Sequence, residues 1–160
     1  MDIARNSTGQ YIVRAVKIAV AGMVSILAAR LLKLPQGYWG AISAFVVMGT
    51  DVNTTFAASR DRLIGTAVGA VLAALFVTFA GVNLLWFGIA VAATVLVCEG
   101  LGLGQNYRLA CVTVAIVMLI NSVGSPWTRS AYRFAEVALG IVVALVITAL
   151  PPKLADNRQA

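Results

Sequence analysis

An eight-residue block, Leu34-Pro35-Gln36-Gly37-Tyr38-Trp39-Gly40-Ala41, returns 69 positions later, from 34 to 103, as the degraded copy Leu103-Gly104-Gln105-Asn106-Tyr107-Arg108-Leu109-Ala110. Each copy follows one long apolar run and opens another. Beyond each lies a second shared pattern, Arg-x6-Gly-x3-Ala, formed by Arg62, Gly69 and Ala73 in the first half and by Arg133, Gly140 and Ala144 in the second. Two blocks that agree in order and in near-equal offset mark the chain as one unit written twice. Whatever this chain folds into must therefore pack two copies of one helical unit.

The runs between the blocks decide the solvent. Hydrophobic residues make up 61% of the chain and charged residues 11%, whereas a soluble domain is about a quarter charged. The chain reads as an integral membrane protein, a single transmembrane domain over 1–160 with no appended soluble domain. Its net charge of +6 would suggest nucleic acid in a soluble protein. Here the basic residues stand mostly at the ends of apolar runs, where membrane topology and anionic lipid account for them, so no nucleic-acid partner is expected.

Six spans are expected. Tyr11 to Leu34 supplies about 24 residues, enough for a hydrocarbon core of roughly 30 Å, and Pro35 closes it. Gly37 to Gly49 is apolar but short, and runs on into, or stops within, the less apolar Thr50 to Ser59. Leu63 to Ala80 is the third span, Leu84 to Glu99 the fourth, Arg108 to Val123 the fifth and Tyr132 to Leu150 the sixth. The repeats are then about 11–80 and 84–150, three spans each. An odd number of spans forces the second unit into the membrane upside down relative to the first, the inverted-repeat arrangement of transporters. The fold class expected is thus all-α, with six transmembrane helices as two inverted three-helix repeats.

Charge sets the orientation. With the N-terminus inside, Arg5, Arg14, Lys17, Arg60, Arg62, Arg108, Lys153 and Arg158 fall on the cytoplasmic side, and Arg30, Lys33, Arg129 and Arg133 on the other. That split favours both termini in the cytoplasm.

The blocks Leu34 to Ala44 and Arg60-Asp61-Arg62-Leu63-Ile64-Gly65-Thr66-Ala67-Val68-Gly69-Ala70 resemble the fusaric acid resistance family. That family includes bacterial aromatic carboxylic acid exporters and is related to plant aluminium-activated malate channels. The likeness extends over about Tyr11 to Leu150, with Arg133-x2-Glu136-x3-Gly140 similar to the family's last span. It implies a bacterial inner-membrane transporter or channel for small organic anions, aromatic or dicarboxylic, usually working outward. Larger members carry a cytoplasmic domain and a second six-span set, so a chain of this size is expected to work as a homo-oligomer, most simply a dimer.

Chemistry-bearing residues are few. There is no His, no Cys-x-x-Cys and no nucleotide-binding lysine after the glycines at 100–104, so neither metal nor cofactor is expected and an enzyme reading finds no raw material. Cys98 and Cys111 read as inert thiols facing a reducing cytosol, although a hairpin could bring them together. Candidates for an anion pathway are Arg62 and Arg133, placed by the repeat at the inner and outer mouths, together with Arg14, Lys17 and Arg108. Against this, Arg14 and Lys17 lie close enough to a helix end to snorkel to water, and Arg62 and Arg133 could anchor helix ends. Glu136 and Glu99 are the candidates for proton coupling; the bland alternatives are an intrahelical pair of Glu136 with Arg133 and a pair of Glu99 with Arg108. Gly37, Tyr38 and Trp39 could break a helix and present amides to a carboxylate, or simply form an interfacial aromatic belt. Thr66 could line a path or bond between helices. Gly65, Gly69 and Gly140 read as close-packing positions between helices, free either for a dimer contact or for packing the third helix on the sixth. The alternative function, from another class, is a small accessory membrane subunit that transports nothing itself.

Overall fold

The structure, a computed structural model, describes residues 2–103, 107–120 and 124–150. Six helices follow one another: α1 (Asp2–Leu31), α2 (Tyr38–Val47), α3 (Val52–Ala80), α4 (Leu84–Gly100), α5 (Tyr107–Leu119) and α6 (Pro126–Ala149). The short middle helices α2 and α5 both begin at the tyrosine of the repeated block.

The ends of α1 and α4 share one backbone geometry. Helix α1 ends where the Leu34 N–H donates to the Ala29 carbonyl and the Lys33 N–H to the Arg30 carbonyl. Helix α4 ends with the Leu103 N–H on the Cys98 carbonyl and the Gly102 N–H on the Glu99 carbonyl. These are the paired bonds of a Schellman motif, whose turning residue must adopt the left-handed conformation: Lys33 has φ 53° and Gly102 φ 67°. This turn stops α1 at Leu31, three residues short of the expected Leu34 and before Pro35 is reached.

Other boundaries follow from caps. The Asp51 side chain accepts from the Thr54 N–H while the Thr54 side chain accepts from the Asp51 N–H, a reciprocal capping box. Thr50 to Ser59 therefore does not extend the second helix; from Val52 onward it is the first part of α3. In the same way Ser125 caps α6 through the Thr128 N–H, with Pro126 in the first turn, which starts α6 six residues ahead of the expected Tyr132. At the other end of the chain the polar head is helical from Asp2. Residues 104–106, 121–123 and the Pro151-Pro152 stop lie outside the described residues.

Packing exchanges the third helices. One apolar cluster joins Ala21 of α1, Ala44 and Val47 of α2, and Val137, Ile141 and Ala144 of α6. The other joins Ala73 of α3, Ala90 of α4, and Val114, Val117 and Met118 of α5. Each three-helix bundle thus contains two helices of one repeat and the third helix of the other. Every helix pair in contact has its counterpart under exchange of α1, α2 and α3 with α4, α5 and α6. The bundles meet chiefly along α3 and α6. Ser130 Oγ donates to the Ala70 carbonyl at 2.9 Å, and Thr55 Oγ1 lies 3.5 Å from Thr148 Oγ1, so these equivalent helices run antiparallel.

Among the described residues three helices are long and apolar enough to cross a membrane: Tyr11–Leu31, Val52–Ala80 and Pro126–Ala149, with best windows of mean hydropathy 2.0, 2.3 and 1.8. Helices α2, α4 and α5, of 10, 17 and 13 residues, are apolar but shorter. At 1.5 Å per residue α2 and α5 reach only about 15 and 20 Å, short of a hydrocarbon core of roughly 30 Å.

Candidate functional site

Helix α6 carries Arg129, Arg133 and Glu136 on one face, as spacings of four and three dictate. Arg133 and Glu136 are 3% and 1% exposed, buried far beyond what a solvated charge tolerates. Glu136 Oε2 lies 3.9 Å from Arg133 Nη1, and its Oε1 accepts the Gln36 backbone N–H at 2.8 Å. The guanidinium carbon of Arg133 stands 3.7 Å from the centre of the Trp39 ring, inside the range of a cation–π contact. The indole Nε1 of Trp39 in turn donates to Gln36 Oε1 at 3.1 Å. Gln36, Glu136, Arg133 and Trp39 close a circuit between α6 and the turn entering α2. Even so, Arg133 Nε and Nη1 are buried without a hydrogen-bond partner.

A cavity of about 180 Å³ opens beside this circuit. Ile116 and Val117 of α5 with Ile120 just beyond its end form its apolar wall, and Pro35, Gln36, Tyr132 and the three charged residues of α6 complete it. Arg129 is anchored by Nη1 on the Val117 carbonyl at 3.3 Å, while its Nε is buried without a partner. Two cations and one carboxylate therefore line the space. Its volume is comparable to the roughly 150 Å³ cavity that accepts one benzene ring.

Arg62 lies on the antiparallel partner α3, 6% exposed, with its Nε also unpartnered. The register set by Ser130 with Ala70 separates Arg62 and Arg133 by about five residues along the shared axis, roughly 7.5 Å. The charge of Arg62 reaches Arg133. The expectation that the two arginines stand at opposite mouths is corrected accordingly: antiparallel third helices bring both into the interior between the bundles. Thr55, Ser59, Arg62 and Thr66 form a buried polar stripe along α3. Ser59 and Ser130 precede Arg62 and Arg133 by three residues each, a further repeat match that reading outward from the arginines finds. Arg129 and Gln36 are the other residues that sequence reasoning missed; their positions become meaningful only when the 34–37 turn is laid against α6.

The sequence matches the family model described as fusaric acid resistance protein-like over residues 21–147. The chain belongs to that family. The assignment bears out the likeness seen in the Leu34–Ala44 and Arg60–Ala70 blocks, and the matched region contains Trp39, Arg62, Arg133 and Glu136. The inner membrane protein YeeA of Escherichia coli strain K12 is 24% identical over 147 residues, covering 90% of this chain and 42% of that protein. The chain thus spans less than half the length of this curated relative. No solved structure matches it. Apolar helices and an inner-membrane relative together make this fusaric acid resistance-like chain a multi-pass membrane protein.

The other candidates lie apart from the cavity. Arg14 is exposed, and Lys17 Nζ donates to the Leu150 carbonyl at 2.7 Å, at the C-terminal end of α6, where a cation meets the negative end of the helix. Arg108 is exposed, 5.9 Å from the Tyr107 ring centre. Glu99 is exposed, and among the described residues no ion pair joins it to Arg108. Cys98 and Cys111 are free thiols. Tyr38 is 49% exposed, and Gly37 packs against Ala29. Gly65 and Thr66 are buried. A methyl on Gly69 would collide with the Ala110 carbonyl of α5, and one on Gly140 with the Gly40 carbonyl of α2. The two glycines are consumed inside the chain, against the middle helix of the opposite repeat.

Proposed function

We propose that this protein moves organic anions, aromatic or dicarboxylic, across the bacterial inner membrane in the outward direction, with Arg133, Arg129 and Arg62 selecting the negative charge. The observation that carries the reading is Arg133, buried and stacked on Trp39, with two guanidinium nitrogens left without hydrogen-bond partners. An intramembrane cation in that state favours a negatively charged ligand. The adjoining cavity has room for one ring and an apolar wall to receive it.

In this reading the chain makes six crossings as two inverted three-helix repeats forming one domain, with both termini cytoplasmic. The antiparallel α3 and α6 support the inversion, and the short α2 and α5 resemble the interrupted helices that frame transporter sites. Arg14, Lys17 and Arg108 then gather anions at the cytoplasmic end, and Thr66 lies along the path. Two copies form the working unit, with contacts elsewhere than at Gly69 and Gly140, and the reading includes no enzymatic step. The test is flux of benzoate or malate from preloaded proteoliposomes holding the purified chain, down an imposed concentration gradient. Flux above protein-free vesicles that falls at least tenfold in Arg133→Gln supports the proposal. No flux above protein-free vesicles from the wild-type chain defeats it in favour of an accessory subunit.

A further inference from the structure

The cavity already contains a carboxylate in the place a ligand's carboxylate would take. Glu136 faces the charged end of Arg133, yet at 3.9 Å the contact is longer than a hydrogen bond, so Arg133 is only loosely held. The acid has no repeat counterpart: Arg133-x2-Glu136 corresponds to Arg62-x2-Gly65. Packing of the repeated unit therefore does not call for a carboxylate here. Its other oxygen is secured independently by the Gln36 N–H, which leaves Glu136 a place to stay when it parts from Arg133.

Resting on the anion-transport reading, we propose that Glu136 is an internal stand-in for the transported carboxylate: an incoming organic anion takes over Arg133, and Glu136, released, binds a proton. In the empty site Arg133 and Glu136 balance each other. In the loaded site Arg133 faces the ligand carboxylate and Glu136 is a neutral acid, hydrogen-bonded to Gln36. One anion and one proton are taken from water and the charge of the site is unchanged. Conserving charge matters because an uncompensated charge in a low-dielectric interior is costly. The surrounding groups do not remove this need. Arg129 and Tyr132 share the face of α6, Arg62 acts from α3 and Tyr38 from α2, and the α5 wall is apolar. The anion and the proton consequently load together, not in exchange.

Benzoate is the probe, measured with the purified full-length chain in nanodiscs between pH 6 and 8 by calorimetry in buffers of different ionisation heat. Uptake of one proton per benzoate, with affinity rising about tenfold for each unit of pH lowered, is the expected result, the slope following from linkage. In Glu136→Gln the uptake should vanish and the affinity become flat, exceeding wild type at pH 8. Wild-type binding that takes up no proton overturns the inference while leaving the anion reading intact, and needs no variant to fold. So does a Glu136→Gln protein that keeps the wild-type slope. Absence of benzoate binding in wild type at every pH, together with absent benzoate and malate flux, removes the reading and the inference together.

Discussion

Lys33 and Gly102 occupy the same backbone position in the two halves of the chain, 69 residues apart, each turning the end of a helix with the same pair of hydrogen bonds. Glycine adopts that left-handed conformation freely, whereas a side chain there costs about 1 kcal/mol. The two halves thus keep one geometry with unequal means. Lys33→Gly should raise stability by about 1 kcal/mol. Gly102→Ala should lower it by a similar amount, because a methyl there meets nothing within 4 Å and only the conformation resists it. Thermal unfolding in mild detergent checks both signs.

Close approach of α6 to α2 sets a harsher limit. Gly140→Ala drives a methyl against the Gly40 backbone, which cannot move aside as a flexible side chain would, and should cost about 3 kcal/mol or more. Gly69→Ala, against the Ala110 backbone of α5, should behave alike. Gly88→Ala is the control: a methyl there has open space, and the better helix former should be neutral or mildly stabilising.

The antiparallel seam between bundles is open to a direct check. With Cys98 and Cys111 replaced, cysteines introduced as Thr55→Cys and Thr148→Cys should crosslink within one chain under mild oxidation. Thr55→Cys with Ser130→Cys should not, because both positions lie near the N-terminal ends of their helices and so at opposite ends of the antiparallel seam. A strong crosslink in the second pair alone would reverse the register.

Acid should weaken the start of α3. The Asp51 carboxyl is held below its ordinary value of 3.8 mainly by the Thr54 hydroxyl. A carboxylate depressed in the folded state contributes stability above its unfolded value, and that contribution disappears as pH falls through the folded one. Asp51→Ala should therefore be less stable than wild type at neutral pH, and the gap should narrow below about pH 3.8. A gap of constant size from pH 7 to pH 3 would show that the ionised box contributes nothing.

Much of the architecture was legible because a repeat states the same local solution twice. The second block identified Tyr38 and Tyr107 as equivalent, and both open a helix. What failed was local and hidden from periodicity. Asp51 and Thr54 read as a polar interruption of an apolar run, when their reciprocal bonding makes them the beginning of a helix. Lys33 gave no glycine signal for the end of α1. The site was legible only in pieces. Arg133 and Glu136 could be paired by spacing, but Trp39 and Gln36 lie about 100 positions away, and no pattern within a helix announces which turn will close on them. The arginine mouths were misplaced because the repeat fixes which residues correspond, not how deeply antiparallel helices overlap.

Exchange of the third helices also has a consequence in time. Ala70 of α3 bonds to Ser130 of α6 across 60 positions of chain, and Ala73 of α3 finds its apolar cluster with α4 and α5. At roughly 5–20 residues per second of synthesis, that partner arrives about 3–12 seconds late. During that interval α3, with Arg62 on its inner face, has left the ribosome while the helices that will cover it are still being made. The first half of this protein must therefore be sheltered by the insertion machinery or by lipid until the second half emerges.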